Sequence, residues 1–406
     1  GGFHKWSRRT TQQVLEKLTK DKELQALLAY NWGDYGVTPD RSPFVCQAFA
    51  ATHYLNGAYY PNGGPSEITK RVCKMINNCG GKVLVSAPVK RIMLDKKGRK
   101  VEGVEMMDGN KIKAKKVVSD AGFINTFTKL LPPDTVNIDF AKDDRATYGK
   151  LHPSTTGINL FVGLKGDHKS LHLPESQYWI YLSNELSEAT RKIEKMSLDE
   201  GLKMDPRDFS PIFVGIPSTK DKSWSREHPD KTGLEIIAFV PYHWFKQYES
   251  FNKEEKTHGF EYETVKRQLA EKVWARVVEV LGAAGSQLPT NLDEVDHFEV
   301  GSPISFKHYY QSEHGAFYGL DHNLNRFEAR NFYLRPRPEV PEVPGLFMSG
   351  QDITGDGFVN AMGGGLLCAQ KVLGIRNPIS LLRGEEHQED EDAQSVQGGL
   401  LDGYSV

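Results

Sequence analysis

Residues 346–361 read LFMSGQDITGDGFVNA. The apolar run at the start predicts a short buried strand over 346–350, and the glycines that follow predict a turn into a helix at about 361–373. Gly350 lets another molecule approach the backbone, because it carries no side chain. Asp352 follows at the carboxyl end of the strand, where α/β sheets place their ligands. The stretch therefore predicts an α/β fold with a ligand-binding edge at this point.

The loop after this strand combines a carboxylate, two glycines and the beginning of a helix. Asp352 can accept hydrogen bonds from sugar-like hydroxyls, and Gly355 and Gly357 keep the loop thin. The helix directs free N–H groups and a positive partial charge back at the loop. Such a helix end suits an anion, or a flavin ring whose N1 side gains negative charge on reduction. Taken alone, the same residues also fit an ordinary strand–loop–helix connection.

A second readable block lies at 66–122. Its first part has a helical apolar face, with Ser66 as the predicted N-cap and Gly80-Gly81 at its end. An apolar run then predicts a buried strand at 82–86. The turn Asp108-Gly109 predicts a hairpin, and the strands around it are expected at 89–95, 101–106, 111–114 and 117–122. Helix, strand, small meander and a last strand ending in small polar residues make one recognisable block.

The remaining segments have weaker patterns. Helical spacing predicts a helix over 10–30, interrupted at the polar residues 20–22, and a long helix at about 260–281. The aromatic region 297–334 is expected to be strand-rich, and other strands are predicted at 157–162, 177–182, 211–216 and 234–240. Six acids fall between 385 and 392, which predicts a disordered tail over 384–406.

Composition excludes several classes of function. Apolar residues make up 38% and charged residues 26% of the chain, with a mean hydropathy of −0.50, which is typical of a globular protein with a buried core. A formal charge of −2 indicates no nucleic-acid partner. The four cysteines show no paired spacing, so neither a metal site nor a disulfide framework is expected. No apolar run approaches the roughly 20 residues of a membrane-spanning helix, and no targeting signal is visible.

Three segments together resemble the retinol saturase family of flavoproteins, within the group that also contains carotenoid isomerases and phytoene desaturase-like enzymes. They are residues 346–374, the block 66–122, and Tyr59-Tyr60-Pro61-Asn62-Gly63-Gly64. The resemblance extends along most of 10–375, and its most specific phrase is 346–352. Further points of likeness are Tyr35-Gly36-Val37-Thr38-Pro39, Ser119-Asp120-Ala121-Gly122, Leu171-His172-Leu173-Pro174 and Gly319-Leu320-Asp321-His322.

The resemblance implies an α/β fold (α+β overall) with two domains. An FAD-binding, Rossmann-like domain of the glutathione-reductase/amine-oxidase type would comprise 61–150 and 331–375, without its first βαβ unit. A mixed-sheet substrate or lid domain would comprise 1–60 and 151–330, and 376–406 would be the acidic tail. The Gly-x-Gly-x-x-Gly turn of such folds is expected before Gly1, so a truncated sequence is expected. Gly63-Gly64 does not follow a predicted strand and is rejected as that turn.

The resemblance also implies FAD as the cofactor, with NAD(P)H as a further candidate electron source. Asp352 would hold the ribityl chain, and Val89 would meet the adenine through its backbone. Gly350 would lie at the same edge. The residues expected against the isoalloxazine are Gly357, Phe358 and Val359, and those expected beside the dinucleotide are Asp120, Ala121 and Gly122. A plain core valine at 89, and a turn with an Asp cap at 120–122, are the alternatives.

The implied reaction is saturation of one double bond of all-trans-retinol or a related polyene, by hydride from reduced flavin and a proton. Tyr60 and Tyr318 are the candidate proton donors, each with a packed core tyrosine as the alternative, and His314 and His322 are weaker candidates. Asp356 departs from the neutral residues of the family at this place, and its charge would oppose an anionic reduced flavin.

Two rival functions stay open: a polyene isomerase that uses reduced flavin without net redox change, and a catalytically inactive lipid-binding relative. The resemblance further implies a retinoid or carotenoid-like substrate, peripheral membrane contact of the intact protein, and the endoplasmic reticulum as its location. The fragment alone is expected to be inactive, because the first βαβ unit of the FAD-binding domain is missing.

Overall fold

In the computed structural model, the described residues are 5–133, 135, 151–250, 258–327, 336–375, 377, 379 and 382. The predicted tail at 384–406 lies outside them. The helices are α1 (Thr11–Leu18), α2 (Lys22–Ala29), α3 (Phe44–His53), α4 (Ser66–Asn78), α5 (Phe123–Asn125), α6 (Leu186–Lys195), α7 (Leu198–Lys203), α8 (Trp224–Glu227), α9 (Phe260–Ala283), α10 (Pro303–Tyr310), α11 (Leu324–Phe327), α12 (Gln351–Thr354) and α13 (Phe358–Leu373).

The strands are β1 (Val89–Leu94), β2 (Val101–Met106), β3 (Lys111–Lys113), β4 (Val117–Ser119), β5 (Gly157–Lys165), β6 (Tyr178–Ile180), β7 (Ile212–Gly215), β8 (Lys231–Phe239), β9 (His297–Gly301) and β10 (Leu346–Met348). Turns of 3₁₀ helix lie at Tyr30–Asp34, Pro206–Asp208, Pro217–Thr219, Tyr242–Trp244, Lys246–Tyr248, Leu292–Glu294 and Glu313–Gly315, and a π-helical turn lies at Thr126–Leu130.

The parallel pair β4 and β10 brings two distant segments to one edge. Leu346 pairs with Val117 and Met348 with Ser119. The buried strand predicted at 346–350 is confirmed over Leu346–Met348. Because parallel strands end at the same edge, the residues that follow β4 and β10 lie side by side. The helix predicted at 361 begins three residues earlier, at Phe358, and the short helix α12 occupies part of the predicted loop.

The antiparallel meander β1–β2–β3 follows the sequence pattern, with the hairpin turn at Asp108-Gly109 as predicted. The buried strand predicted at 82–86 is wrong. Val83, Leu84 and Val85 are 44%, 62% and 84% exposed, and 82–86 form no strand. The described residues provide no neighbouring strand for this segment, and a strand needs a partner for its backbone hydrogen bonds. An apolar run alone does not reveal whether that partner exists.

The helical segments begin where polar side chains can cap them. Thr10 forms a capping box with Gln13 at α1, and Asp21 caps α2, so the predicted interruption at 20–22 is confirmed. The cap predicted at Ser66 is wrong: Ser66 is the first residue of α4, and Pro65 precedes it without a side-chain cap.

A five-stranded sheet in the order β6-β7-β8-β5-β9 forms the larger part of the core. All its described pairings are antiparallel, where the sequence predicted a mixed sheet. The long helix α9 belongs to the same core and buries one residue per turn at Val265, Leu269, Val273 and Val277.

The region 297–327 is not strand-rich as predicted, since one strand, β9, is followed by α10 and α11. Ser302 forms a capping box with Ser305, and Pro303 occupies the first helical turn. These helix-starting signals outweigh the strand preference of the aromatic residues.

The buried apolar residues form three clusters. One surrounds the five-stranded sheet, and a second joins the N-terminal helices to Leu186 and Phe239. The third joins Ile92, Val101 and Phe123 to Leu346 and Met348. This third cluster combines the two segments that the sequence assigns to the FAD-binding domain, although the domain boundaries stay a prediction.

Candidate functional site

Gly350 and Asp120 are neighbours at the ends of β10 and β4. The N–H of Ser349 donates to the carbonyl of Ser119 at 2.9 Å, which continues the parallel ladder to this edge. Gly350 has a φ of +83°, and a Cβ atom there would overlap the carboxylate of Asp120. A Cβ on Gly364 in α13 would likewise overlap the carbonyl of Gly350. Glycine at 350 and 364 therefore allows β10, β4 and α13 to approach closely.

Asp352 is 3% exposed and binds backbone groups from two other segments. Its Oδ2 accepts from the N–H of Phe123 at 2.6 Å, and its Oδ1 accepts from the N–H of Leu320 at 2.9 Å. The guanidinium of Arg326 donates to its backbone carbonyl at 2.9 Å. The carboxylate thus connects α12 to the segment after β4 and to the aromatic region. Its predicted ribityl-binding role stays a prediction, and a ribityl hydroxyl would share an oxygen that already has a partner.

Asp120 adds a second carboxylate at this edge. Its side chain is exposed, and its pKa is raised, first by partial desolvation and then by the negative charge of Asp352. Gly122 has a φ of +86°, and a Cβ there would lie 3.6 Å from Oδ2 of Asp352. The carbonyl of Ala121 accepts from the side-chain amide of Asn125 at 2.9 Å. The structure therefore brings Asp120 and Gly122 close to Gly350 and Asp352.

Val89 lies on β1, pairs with Met106 and is 38% exposed. Because β1 is an edge strand, the backbone of Val89 is open to contact with a ligand. The place of Val89 beside the adenine stays a prediction.

A cavity of about 650 Å³ lies between the five-stranded sheet, α3 and the loop before α13. Its apolar wall comes from adjacent strands: Trp179 on β6, Phe213 on β7, and Ile237 and Phe239 on β8. The rings of Trp179 and Phe213 are 5.1 Å apart between centroids. Phe49 of α3 and Tyr54, which follows that helix, also line this cavity. Its size is within the usual range for small-molecule sites, roughly 300–1,000 Å³.

The beginning of α13 forms one side of the same cavity. Gly357, Phe358 and Val359 all line it. Phe358 and Val359 are 52% and 55% exposed. Gly357 has a φ of +83° with open space around a Cβ position, and it gives the helix no side-chain cap. An open glycine, a helix N-terminus and exposed apolar side chains fit a planar, electron-accepting ring such as a flavin.

Asp356 and His322 form a close pair in the wall of this cavity. Oδ1 of Asp356 lies 3.0 Å from Nε2 of His322, and the backbone N–H of Asp356 donates to the same nitrogen at 3.1 Å. Burial, followed by the nearby guanidinium of Arg326, holds the pKa of His322 well below its ordinary value. Burial raises the pKa of Asp356 from 3.8 to about 6. His322 is therefore neutral, and Asp356 is protonated under mildly acidic conditions.

Asp34 is a second carboxyl group of the cavity wall. Burial raises its pKa to about 6, although hydrogen bonds from Tyr54 and Trp179 oppose the rise. The hydroxyl of Tyr54 donates to Oδ2 of Asp34 at 3.2 Å. The negative charge of Asp34 adds to the rise in the pKa of Asp356. Asp34 is not among the residues predicted from the sequence, where its signal is a single acid within the largely aromatic segment 30–35.

The two tyrosines predicted as proton donors occupy different places. Tyr318 lines the cavity, but its hydroxyl donates to the carbonyl of Gly33 at 2.8 Å, and burial raises its pKa above the ordinary value. Tyr60 is not among the described residues that line the cavity. Its charged neighbours are Asp221 and Glu235. Both catalytic roles stay predictions, and the structure brings Tyr318 to the site but not Tyr60.

No helix of the described residues combines the length and the apolar character that crossing a membrane requires.

The overall fold is similar to that of a putrescine oxidase variant, a protein redesigned for cofactor binding. The match has a TM-score of 0.51 at 12% identity, and it covers 91% of this chain and 68% of the oxidase. The chain therefore shares the fold of this amine oxidase, and the α/β fold of the amine-oxidase type predicted from the sequence is confirmed.

No protein-family model matches the chain, whereas several curated proteins do. An all-trans-retinol 13,14-reductase from Danio rerio is 31% identical over 374 residues, which are 91% of this chain and 58% of the relative. An inactive all-trans-retinol 13,14-reductase from Danio rerio is 31% identical over 387 residues, 93% of this chain and 59% of the relative. A phytoene desaturase from Phycomyces blakesleeanus is 25% identical over 310 residues, 76% of this chain and 47% of the relative.

The chain thus spans about 58% of the length of the reductase it matches. The resemblance predicted from the sequence is therefore confirmed: about nine tenths of the chain is similar in sequence to part of the all-trans-retinol 13,14-reductases.

Proposed function

We propose that the full-length protein is an FAD-dependent oxidoreductase that saturates one double bond of all-trans-retinol or a related polyene. The observation that carries this proposal is the cavity of about 650 Å³, with an aromatic wall on one side and the beginning of α13 on the other. A polyene is a long apolar ligand, and its binding needs such a wall. The relatives that match are named for a reaction on all-trans-retinol.

The described residues have separate roles in this proposal. Trp179, Phe213 and Phe239 hold the polyene by apolar contact and exclude water. Gly357, Phe358 and Val359 present the helix N-terminus to the isoalloxazine, and Asp120 and Gly350 form the edge beside the dinucleotide. FAD, when bound, supplies the hydride for the double bond, and the protein positions the reactants and shields them from water. NAD(P)H is the proposed source of its electrons.

A catalytically inactive relative is a second candidate, since the inactive reductase from Danio rerio matches 93% of the chain at 31% identity. A polyene isomerase is a third. These candidates differ in product: saturation shortens the conjugated system and adds two hydrogens, isomerisation changes neither, and the inactive relative gives no product.

The test uses the full-length protein, purified with its flavin, and all-trans-retinol under anaerobic reduction. Absorption spectra and mass spectrometry of the extracted retinoid distinguish the three candidates. A blue-shifted product heavier by two hydrogens supports the proposal. A product of unchanged mass supports the isomerase, and flavin-containing protein without any product supports the inactive relative.

We also propose that the intact protein contacts a membrane peripherally at the endoplasmic reticulum, because its substrate partitions into lipid. Co-sedimentation of the full-length protein with vesicles, and imaging in cells, test this part independently of the chemistry.

A further inference from the structure

Asp356 and His322 face each other in a way that fixes the position of one proton. Nε2 of His322 accepts the backbone N–H of Asp356 at 3.1 Å, and the guanidinium of Arg326 lies 3.5 Å from the same nitrogen. Both neighbours are donors, which favours the tautomer with a lone pair rather than a proton on Nε2. Oδ1 of Asp356 lies 3.0 Å from the same nitrogen. Two acceptors at this distance repel each other unless the carboxyl group carries a proton between them.

We propose that Asp356 is the acid that delivers the proton to the polyene carbon next to the one that receives hydride. This inference rests on the proposed function. In the step, the O–H bond of Asp356 breaks and a C–H bond forms on the polyene, while the adjacent carbon receives hydride from the reduced cofactor. The double bond gains two hydrogens, and Asp356 is left as a carboxylate that takes a proton back from water.

The place of Asp356 suits this role. Asp356 stands between Gly355 and Gly357 in the loop directly before α13. It lines the cavity, and its side chain is 15% exposed. The proton therefore lies on the same side of the cavity as the predicted flavin. His322 is a positioning residue in this account, since its lone pair keeps the carboxyl group protonated and oriented.

Asp34 is the natural rival, because it is the other carboxyl group that lines the cavity. Its Oδ2 accepts a hydrogen bond from the hydroxyl of Tyr54 at 3.2 Å, which stabilises a carboxylate. Asp356 faces an acceptor instead, which stabilises an acid. Tyr318 is a weaker acid than either, since its hydroxyl is bound to the carbonyl of Gly33.

The groups that control the titration of Asp356 come from several elements. His322 and Arg326 pack against it from the aromatic region and α11, and Asp34, Tyr54 and Tyr318 face it across the cavity. The positive charge of Arg326 lowers the pKa of Asp356, and the negative charge of Asp34 raises it. Burial has the largest effect, and the pKa of Asp356 is therefore raised. We expect the proton-donating form to decline as the pH rises through about 6.

The experiment compares wild-type, Asp356→Asn and Asp34→Asn forms of the full-length flavoprotein. Single-turnover oxidation of the reduced enzyme by all-trans-retinol is followed from pH 5 to pH 8. The wild-type rate should fall above pH 6. Asp356→Asn should be slower by roughly 100- to 10,000-fold, the usual contribution of a general acid, and should lose that fall. Asp34→Asn should keep the fall, shifted to lower pH, because one negative charge near Asp356 is gone.

A second readout does not depend on turnover. Infrared difference spectra between pH 5 and pH 8 should contain carboxylic acid bands of two groups, because burial raises the pKa of both Asp356 and Asp34 to about 6. Asp356→Asn should lose one component of these bands, and Asp34→Asn should lose a different component. Flavin content and thermal unfolding of each variant show that it is folded.

If the wild-type protein saturates retinol and Asp356→Asn does so at the same rate, this inference is overturned and the proposed function stands. The same holds if the rate of Asp356→Asn depends on pH as the wild-type rate does. A folded wild-type protein that binds no flavin or forms no saturated product overturns the proposed function, and this inference with it.

Discussion

A Cβ atom on Gly350 would overlap the carboxylate of Asp120, so glycine at 350 leaves room for that side chain where β10 and β4 end. Gly350→Ala should therefore destabilise the full-length protein through both strain and overpacking. Gly357→Ala is the matched control, because Gly357 has the same φ of +83° and open space around its Cβ position. We expect Gly350→Ala to cost roughly 1–3 kcal/mol more than the control, measured by denaturant unfolding. Equal losses would mean that Asp120 moves away freely.

Asp352 should contribute to folding as well as to any binding of cofactor. Asp352→Ala leaves the buried N–H groups of Phe123 and Leu320 without their acceptor, which costs roughly 1–3 kcal/mol for each group. Chemical denaturation of the cofactor-free, full-length protein measures this loss. Asp120→Ala is the control, since Asp120 is more exposed and accepts neither bond.

The flavin affinity of Asp352→Ala then tests the ribityl assignment separately. If Asp352 holds the ribityl chain, FAD binding by folded protein should weaken by roughly 10- to 150-fold, equivalent to ~1.5–3 kcal/mol. Excess FAD should then restore turnover. A variant that is destabilised but binds FAD normally would limit Asp352 to its structural role.

Burial of Asp356 should lower stability at neutral pH. Its pKa is raised by folding from 3.8 to about 6. The folded state therefore holds the proton more tightly than the unfolded state, so stability falls as the pH rises from about 4 to above 6. The full difference corresponds to roughly 3 kcal/mol. Asp356→Asn should raise the thermal midpoint at pH 8 and change it little at pH 4.

Asp95→Asn is the control of opposite sign. Backbone hydrogen bonds, first from Arg99, lower the pKa of Asp95, so this variant should lose stability at pH 8. If both variants lose stability alike at pH 8, Asp356 is ionised without cost, and the assignment of its proton is wrong.

The polyene site should respond to a change in cavity volume. Ala50 lines the cavity, whereas Ala283 is exposed at the end of α9. Ala50→Trp should weaken retinol binding by about tenfold or more, a change of ~1.4 kcal/mol, because the indole fills space that the ligand needs. Retinol fluorescence titration measures the affinity, with Ala283→Trp as the control. Unaltered affinity in Ala50→Trp would place the ligand elsewhere.

Local signals predicted much of the fold. The hairpin at Asp108-Gly109, the helix break at 20–22 and the strand at 346 each depend on residues close in sequence, and each is confirmed. The predictions that are wrong depend on partners distant in sequence. Residues 82–86 look like a strand, but no described strand pairs with them. Ser302 and Pro303 start a helix inside an aromatic run that otherwise favours strands.

The candidate site divides in the same way. The strand end at Gly350 and the glycine turn at Gly357 are visible in the sequence, whereas the place of Asp120 was expected from the family resemblance. The sequence did not reveal that Asp34 and Asp356, 322 positions apart, share one cavity. It also ranked His322 low, because the lone pair that faces Asp356 follows from the positions of Arg326 and a backbone N–H. Such relationships arise from tertiary packing and have no periodicity in the sequence.

The central claim is that the full-length protein uses FAD to saturate a polyene in the cavity beside α13. The most direct measurement is anaerobic single-turnover oxidation of its reduced flavin by all-trans-retinol, with the retinoid identified by absorption and mass. We predict stoichiometric flavin oxidation and a product with a shorter conjugated system, heavier by two hydrogens. Reduced flavin that stays reduced in the presence of bound retinol, or a retinoid recovered with unchanged mass, would contradict the account.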